Sequence, residues 1–198
     1  MNNFFDDALK NVKLAVQSLN EQSFALLVQE SEQVLKKGSE IIVSGLGKNV
    51  PVCEKFVGCM VSLGLKSRFL HTNTALHGDL GMVKDGDLVV VLSKSGETTE
   101  SIQLVEMLEK RNVTLWLLTF EENTTLSKKI KKQLVMKLEH EGDQWNIVPN
   151  NSTTATLVVL QELAMELGRR MGITLGDFKK NHPGGGIGIM TNKVGGFA

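Results

Sequence analysis

Short apolar runs alternate with helical segments from residue 39 onward, and this alternation restricts the chain to few folds. EIIVSG (40–45), residues 67–70, DLVVVLS (87–93), NVTLWLLT (112–119) and QLVMKL (133–138) read as five strands. Residues 50–63, 97–111, 123–131 and 152–171 carry apolar residues at three- and four-residue spacing and read as helices, with 73–82 a helix or loop. The runs are nearly continuous in Val, Ile and Leu, as strands buried on both faces must be. Strands separated by helices are joined by crossovers, which makes the sheet parallel. The expected fold is α/β, a three-layer αβα sandwich around a five-stranded parallel sheet.

Two further segments flank this unit. Residues 4–35 hold two helical stripes, Phe4, Phe5, Ala8, Leu9, Val12, Val16 and Leu19, then Phe24, Leu27, Val28, Ser31, Val34 and Leu35. Residues 1–38 are therefore read as a helical segment that packs on the domain or on a partner subunit, and 39–198 as the domain itself. A glycine-rich tail, 172–198, closes the chain.

Lys+Arg and Asp+Glu both number 22. A nucleic-acid binder would carry a basic excess, and Lys128 to Lys132 is too short a cluster to supply one, so no nucleic-acid partner is expected. No apolar run approaches the ~20 residues that span a bilayer, and the acidic start lacks a signal-peptide core, so no membrane partner is expected and the chain reads as cytoplasmic. Cys53 and Cys59 lie on one predicted helix with diverging Cβ vectors, which suits two free thiols.

In an open parallel sheet a ligand binds at the carboxyl ends of the strands, where the strand order reverses. For the order 2-1-3-4-5 that point lies between SGLGKN (44–49) and SKSGETTE (93–100). Each combines Ser, Gly and charge before a helix start, whose unpaired N–H groups suit a phosphate. Ser44, Ser93, Ser95, Thr98 and Thr99 offer hydroxyls, and Gly45, Gly47 and Gly96 allow close approach of backbone. Such residues are also ordinary caps and turns. Their occurrence at both strand ends flanking the reversal point favours a ligand. Neither loop has P-loop or dinucleotide-fingerprint spacing, which disfavours a nucleotide.

SGLGKN, FLHTNTALHGDLGM (69–82), SKSGETTES, PNNSTTATL (149–157) and DFKKNHPGGGIG (177–188) follow one another in this order. As a set they resemble the sugar-isomerase (SIS) domain of arabinose-5-phosphate isomerases over about residues 40–188. The resemblance implies an aldose–ketose isomerase that works on a sugar phosphate through a cis-enediol, as a homo-oligomer, dimer or tetramer. It implies no required cofactor. It implies catalytic positions at Lys48, Glu97, Glu141 and His182, and substrate positions that include Gly64, His77 and Ser152. His71 matches a position where a divalent metal such as zinc can bind.

Proton transfer between adjacent carbons needs a carboxylate or imidazole with its pKa lifted toward neutrality. Glu97 and Glu141 both qualify, and the sequence does not choose between them. His182 and His77 suit proton transfer at a sugar oxygen, and Lys48 suits a phosphate or an enediolate. Each has a plainer alternative: Glu97 as a helix-dipole partner, Lys48 as a solvated lysine, His71 as a lone histidine. His140 reads as exposed and Asp79 as a local cap. His182, placed at a subunit boundary, would enter a neighbour's site.

The match departs at three places. Many members carry paired CBS modules after HPGG, whereas this sequence ends at Ala198. The usual Lys-Glu-Ala-Cys-Pro loop is HEGDQWN (140–146), and Ser-Asn-Ser is Ser93-Lys94-Ser95, with Asn49 where a serine usually follows Lys48. Lys94 is then either an extra phosphate ligand or the mark of a different substrate. A 3-hexulose-6-phosphate-type isomerase and a non-catalytic sugar-phosphate sensor are the competing readings.

Overall fold

The computed structural model describes residues 5–194, with side chains to residue 189. Two helices, α1 (Asp6–Gln17) and α2 (Glu21–Lys36), precede β1 (Ile41–Gly45). Then follow α3 (Val50–Ser62), β2 (Ser67–His71), α4 (Thr72–Ala75), β3 (Leu88–Leu92), α5 (Thr99–Leu108) and β4 (Thr114–Thr119). α6 (Thr125–Lys129), β5 (Gln133–Val135), α7 (Asn151–Arg170), α8 (Leu175–Asn181) and α9 (Gly185–Val194) complete the described chain. The five strands pair in parallel in the order β2-β1-β3-β4-β5. The order reverses between β1 and β3, as expected.

Every residue of β1 and of β3 is buried. Successive side chains point to opposite faces of a strand, so one run feeds two cores. Ile41, Val43, Leu88, Val90, Trp116 and Leu118 join Phe56 and Met60 of α3 and Leu160, Leu163 and Leu167 of α7. Ile42, Val89, Val91 and Leu117 join Leu104, Val105 and Leu108 of α5 with Leu126 of α6. Because both faces need a helical cover, the sheet lies at the centre of three layers. α1 and α2 add to the first core through Ala15, Leu27, Val28 and Val34, and both pack on α7.

Polar contacts fix the N-terminal pair. The indole N–H of Trp116 donates to Glu30 Oε2 at 2.8 Å, and Lys132 Nζ reaches Glu30 Oε1 at 2.6 Å. Lys129 pairs with Glu106 and Glu109. The basic cluster is thus partly neutralised by acidic neighbours. In the first predicted stripe, Phe4 lies outside the described residues, while Phe5 and Leu9 remain 73% and 67% exposed. Cys53 and Cys59 are free, and burial pushes the Cys53 thiol well above its usual range. No described helix is long and apolar enough to cross a membrane.

The glycine-rich tail, to which the sequence reading assigned no element, carries α8 and α9. α8 starts with a capping box: Thr174 Oγ1 accepts the Asp177 N–H at 3.1 Å, and Asp177 Oδ2 accepts the Thr174 N–H at 3.1 Å. The Thr-x-x-Asp spacing was visible in the sequence and signals a helix start.

Asp87, 2% exposed, ties the amino ends of the central strands together. Its carboxylate accepts the N–H groups of Glu40 and Lys84 at 2.9 and 2.8 Å. Asp87→Ala strands both donors. It is expected to cost about 1–3 kcal/mol in urea unfolding, while leaving the ligand pocket at the opposite sheet edge intact.

Candidate functional site

Helices α3, α5 and α7 all begin at the carboxyl edge of the sheet, and a pocket of ≈ 220 Å³ opens between their starts. Leu46, Lys48 and Asn49 line it from the β1–α3 turn, Ser93, Lys94, Ser95 and Thr98 from the β3–α5 loop, and Pro149, Ser152 and Thr153 from the entry to α7. A larger cavity, ≈ 560 Å³, lies between α1, α2 and α7. It is lined mainly by apolar side chains such as Val16, Phe24 and Val159 and contains none of the candidate residues.

The β3–α5 loop is held by its own hydroxyls and by β4. Ser93 Oγ accepts the Gly96 N–H at 3.2 Å and lies 3.4 Å from Thr98 Oγ1. Ser95 Oγ accepts the Glu97 N–H at 3.3 Å. The carbonyl of Lys94 accepts from Phe120 N–H and Thr119 Oγ1. Gly96 has φ +65°, and a Cβ there would collide with Thr124, the N-cap of α6. Its carbonyl accepts the Leu126 N–H at 3.1 Å. The glycine therefore serves close packing of loop on helix as well as the left-handed turn.

Beneath the pocket sits Glu141, with a fully buried side chain. Its Oε2 accepts the N–H groups of Asn150 and Ser152 at 3.0 and 2.9 Å, at the start of α7. Its Oε1 faces the Lys94 ammonium at 2.5 Å. Burial pushes the carboxyl up, but Lys94, Ser152 and the Asn150 N–H outweigh it and hold it below the usual range. The loop that carries Glu141 is shaped by Asp143, whose carboxylate accepts the N–H groups of Trp145, Ile147 and Val148. Asn146 Oδ1 accepts the Glu141 N–H at 2.7 Å.

Glu97 stands elsewhere. It is exposed, and its Oε1 accepts the Thr125 N–H at 2.8 Å at the start of α6. Thr125, followed by Lys128, holds its carboxyl below the usual range too. A carboxyl lifted toward neutrality, the sequence expectation for a base, is thus met by neither glutamate in the ligand-free chain. Geometry separates the two: Glu141 touches the pocket-lining residues Lys94 and Ser152, whereas Glu97 touches α6.

The other candidates divide. Lys48 is exposed at the pocket and has no hydrogen-bond or ion-pair partner among the described residues. Ser44 is buried, and its hydroxyl donates to the Leu70 carbonyl at 2.7 Å and meets Thr72 Oγ1 at 3.2 Å. It locks β1 to β2 and does not face the pocket. Gly45 lets α3 start close to β1, since a Cβ would lie 2.9 Å from Asn49 Cβ. Gly47 takes φ +60° in the turn. Thr99 is exposed and Thr98 takes the pocket side.

Gly64 and His182 lie at the other end of the domain. Gly64, φ +75°, ends α3, with Leu65 N–H bonded to the Met60 carbonyl and Gly64 N–H to that of Val61, a Schellman closure. His182 docks there as well: Nε2 is 2.9 Å from Ser62 Oγ, Nδ1 is 2.8 Å from the Phe178 carbonyl, and the ring stacks on Phe178. α3 starts at the pocket and runs back along the sheet for 13 residues, about 20 Å at 1.5 Å per residue. One chain therefore does not bring His182 to its own pocket.

His77 is exposed beyond α4. His71 Nδ1 accepts the Asn73 N–H at 3.2 Å, capping α4, and its ring stands edge-on to Phe69. Among the described residues no group of three His, Cys, Asp or Glu could hold a metal ion. The donors around His71 do not fit a metal within one chain.

Sequence reasoning singled out Lys94 without its partner. Asn49 and Thr153 also line the pocket; they stood in the quoted motifs but carried no role.

Comparison with known proteins sets this geometry in a family. The SIS domain family matches residues 34–166. The chain is 36% identical over 149 residues to arabinose 5-phosphate isomerase KdsD of Escherichia coli (strain K12), covering 75% of this chain and 45% of that protein. It is 34% identical over 174 residues to the Pseudomonas aeruginosa enzyme of the same name, covering 88% and 53%. The chain thus spans about half the length of the curated relatives it matches. Among solved structures, an E. coli CFT073 protein in complex with arabinose 5-phosphate superposes with TM-score 0.84 at 30% identity, covering 92% of this chain and 100% of that one. A Listeria monocytogenes structure, 22% identical with TM-score 0.83, shares the fold, the match covering 92% of this chain and 96% of that one.

Gly96→Ala forces a Cβ into Thr124 at a left-handed φ. The expected cost is about 2 kcal/mol or more, read as a lowered denaturation midpoint.

Proposed function

Because the chain belongs to the SIS domain family, we propose that its pocket holds the phosphate of a sugar phosphate and that the chain interconverts an aldose and a ketose, arabinose 5-phosphate and ribulose 5-phosphate being the first pair to test. The observation that carries this reading is the convergence, at one sheet edge, of the N-termini of α5 and α7, the hydroxyls of Ser93, Ser95, Thr98 and Thr153, and the unpaired Lys48, directly above buried Glu141. Helix starts and hydroxyls supply donors for a dianion. Lys48 and Lys94 supply positive charge, and among the described residues neither Asp nor Glu lines the pocket.

In this reading Glu141 is the base. Glu141 has no exposed surface, so the Lys94 side chain facing its Oε1 turns aside before the opened aldose presents its C2–H to the carboxylate. The proton passes to Glu141, the C2 electron pair forms the C1–C2 double bond, and the carbonyl oxygen takes the negative charge beside Lys48. The same carboxyl returns the proton to C1, the C2 hydroxyl becomes the ketone, and the proton it gives up passes to the O1 oxygen, which becomes the C1 hydroxyl. The two N–H groups on Oε2 keep the carboxylate aimed throughout. Glu97 holds the phosphate loop on α6. These steps call on no metal.

His182 serves the pocket of a second copy in this account, in a homo-oligomer, since its own chain keeps it at the far sheet edge. Ring opening and proton transfer at a sugar oxygen are its expected tasks.

A second reading, a sugar-phosphate sensor without catalysis, has one observation in its favour: both candidate carboxylates are held below the usual range in the free chain. A coupled isomerase assay over C5 to C7 sugar phosphates, the 3-hexulose 6-phosphate type included, separates the two. The proposal expects turnover of at least one, reduced about 10²–10⁴-fold by Glu141→Gln. Ligand-induced thermal stabilisation with no turnover on any sugar would favour the sensor.

Mixing inactive His182→Ala and Glu141→Ala chains under exchanging conditions tests the shared site. Random dimers are expected to recover about a quarter of wild-type activity. No recovery, with mixed oligomers demonstrated, contradicts the neighbour role.

A further inference from the structure

Lys94 occupies two places at once. Among the described residues its ammonium is the sole partner of Glu141 Oε1, at 2.5 Å, and its side chain also lines the pocket, 40% exposed. Its backbone cannot follow a ligand, because its carbonyl is fixed by Phe120 N–H and Thr119 Oγ1 on β4. Only the flexible four-carbon stem can turn. An anion that enters the pocket competes with Glu141 for the ammonium, and among the described residues no other donor reaches the buried Oε1.

Resting on the phosphate-cradle reading, we infer that Lys94 couples the two halves of the site: the ammonium neutralises Glu141 while the pocket is empty, and an arriving phosphate draws it away, leaving a buried carboxylate without its counter-charge. Such a carboxylate is more basic, because burial disfavours its charged form. Oε2 keeps its two N–H bonds, so the group stays in place as it becomes a stronger proton acceptor. The base is then armed only when a phosphate is present. This also accounts for a carboxyl held below its usual range in the free chain. Lys94 acts here as a positioning residue on Glu141 and as a phosphate ligand.

Linkage makes the idea reciprocal: if phosphate weakens the hold of Lys94 on Glu141, Glu141 must weaken the hold of Lys94 on phosphate. Calorimetric titration with inorganic phosphate on wild type, Lys94→Met, Glu141→Gln and the double variant reads this directly. The account expects Glu141→Gln to bind phosphate several-fold tighter, because the ammonium is released to the pocket. Lys94→Met is expected to bind about tenfold weaker or worse. The double variant is expected to match Lys94→Met, since Glu141 acts on phosphate through Lys94. Equal or weaker binding by Glu141→Gln overturns the coupling. So does a tightening that persists in the double variant, which would be plain charge repulsion. Wild type that binds no phosphate overturns the cradle reading as well, whereas wild type that binds while Glu141→Gln changes nothing overturns only the coupling. Should Lys94→Met fail to fold, Lys94→Gln replaces it in both the single and the double variant.

Discussion

A carboxylate with no surface in water must be neutralised or it will not stay charged. Glu141 meets that demand from two sides, through the start of α7 and through Lys94 of the β3–α5 loop. Two segments far apart in sequence are thereby drawn to one point, and the pocket is the space left above it. Removing one partner of such a pair costs about 3 kcal/mol, toward the low end because Lys94 is 40% exposed. The loop 139–150 has little apolar anchorage, with Trp145 and Ile147 exposed. Glu141, Asp143 and Asn146 therefore hold it largely by accepting backbone N–H groups.

The rest of the site follows from the sheet. Parallel strands deliver every crossover helix with its N-terminus at one edge, and the reversal between β1 and β3 spreads two of those starts apart. Buried apolar runs set the strands, glycines at 47 and 96 set the turns, and the hydroxyls between them find donors in their own loop. Ser93 illustrates how one side chain serves both ends: its Oγ holds the Gly96 N–H and still borders the pocket.

Much of this was legible in the sequence, for stated physical reasons. Near-continuous apolar runs declared a sheet buried on both faces, and helical segments between them declared its parallel sense. The SKSGE loop announced itself through Ser, Thr and Gly before a helix. What a linear reading could not give was the direction of side chains and the distance between segments. Ser44 looked like a pocket hydroxyl, but an inward-facing strand position commits it to β2. Gly64 and His182 match positions the resemblance implied, yet Gly64 ends α3 and His182 docks there, at the opposite edge, which is a fact about one helix's length. Lys94 and Glu141 are each visible as residues; their meeting is visible only when the β3–α5 loop and the start of α7 are folded together. The helices of the tail were hidden by glycine content, although the Thr174–Asp177 capping box marked the first of them.

The central claim, that the pocket between α5 and α7 takes a phosphate above a Glu141 released by Lys94, is tested most directly by a crystal structure of the protein soaked with arabinose 5-phosphate. The phosphate oxygens are expected within hydrogen-bond range of Ser93, Ser95 and Thr98, with the Lys94 ammonium turned to them and away from Glu141 Oε1. A phosphate seated outside this pocket, or seated in it with the Lys94–Glu141 pair unbroken, would contradict it.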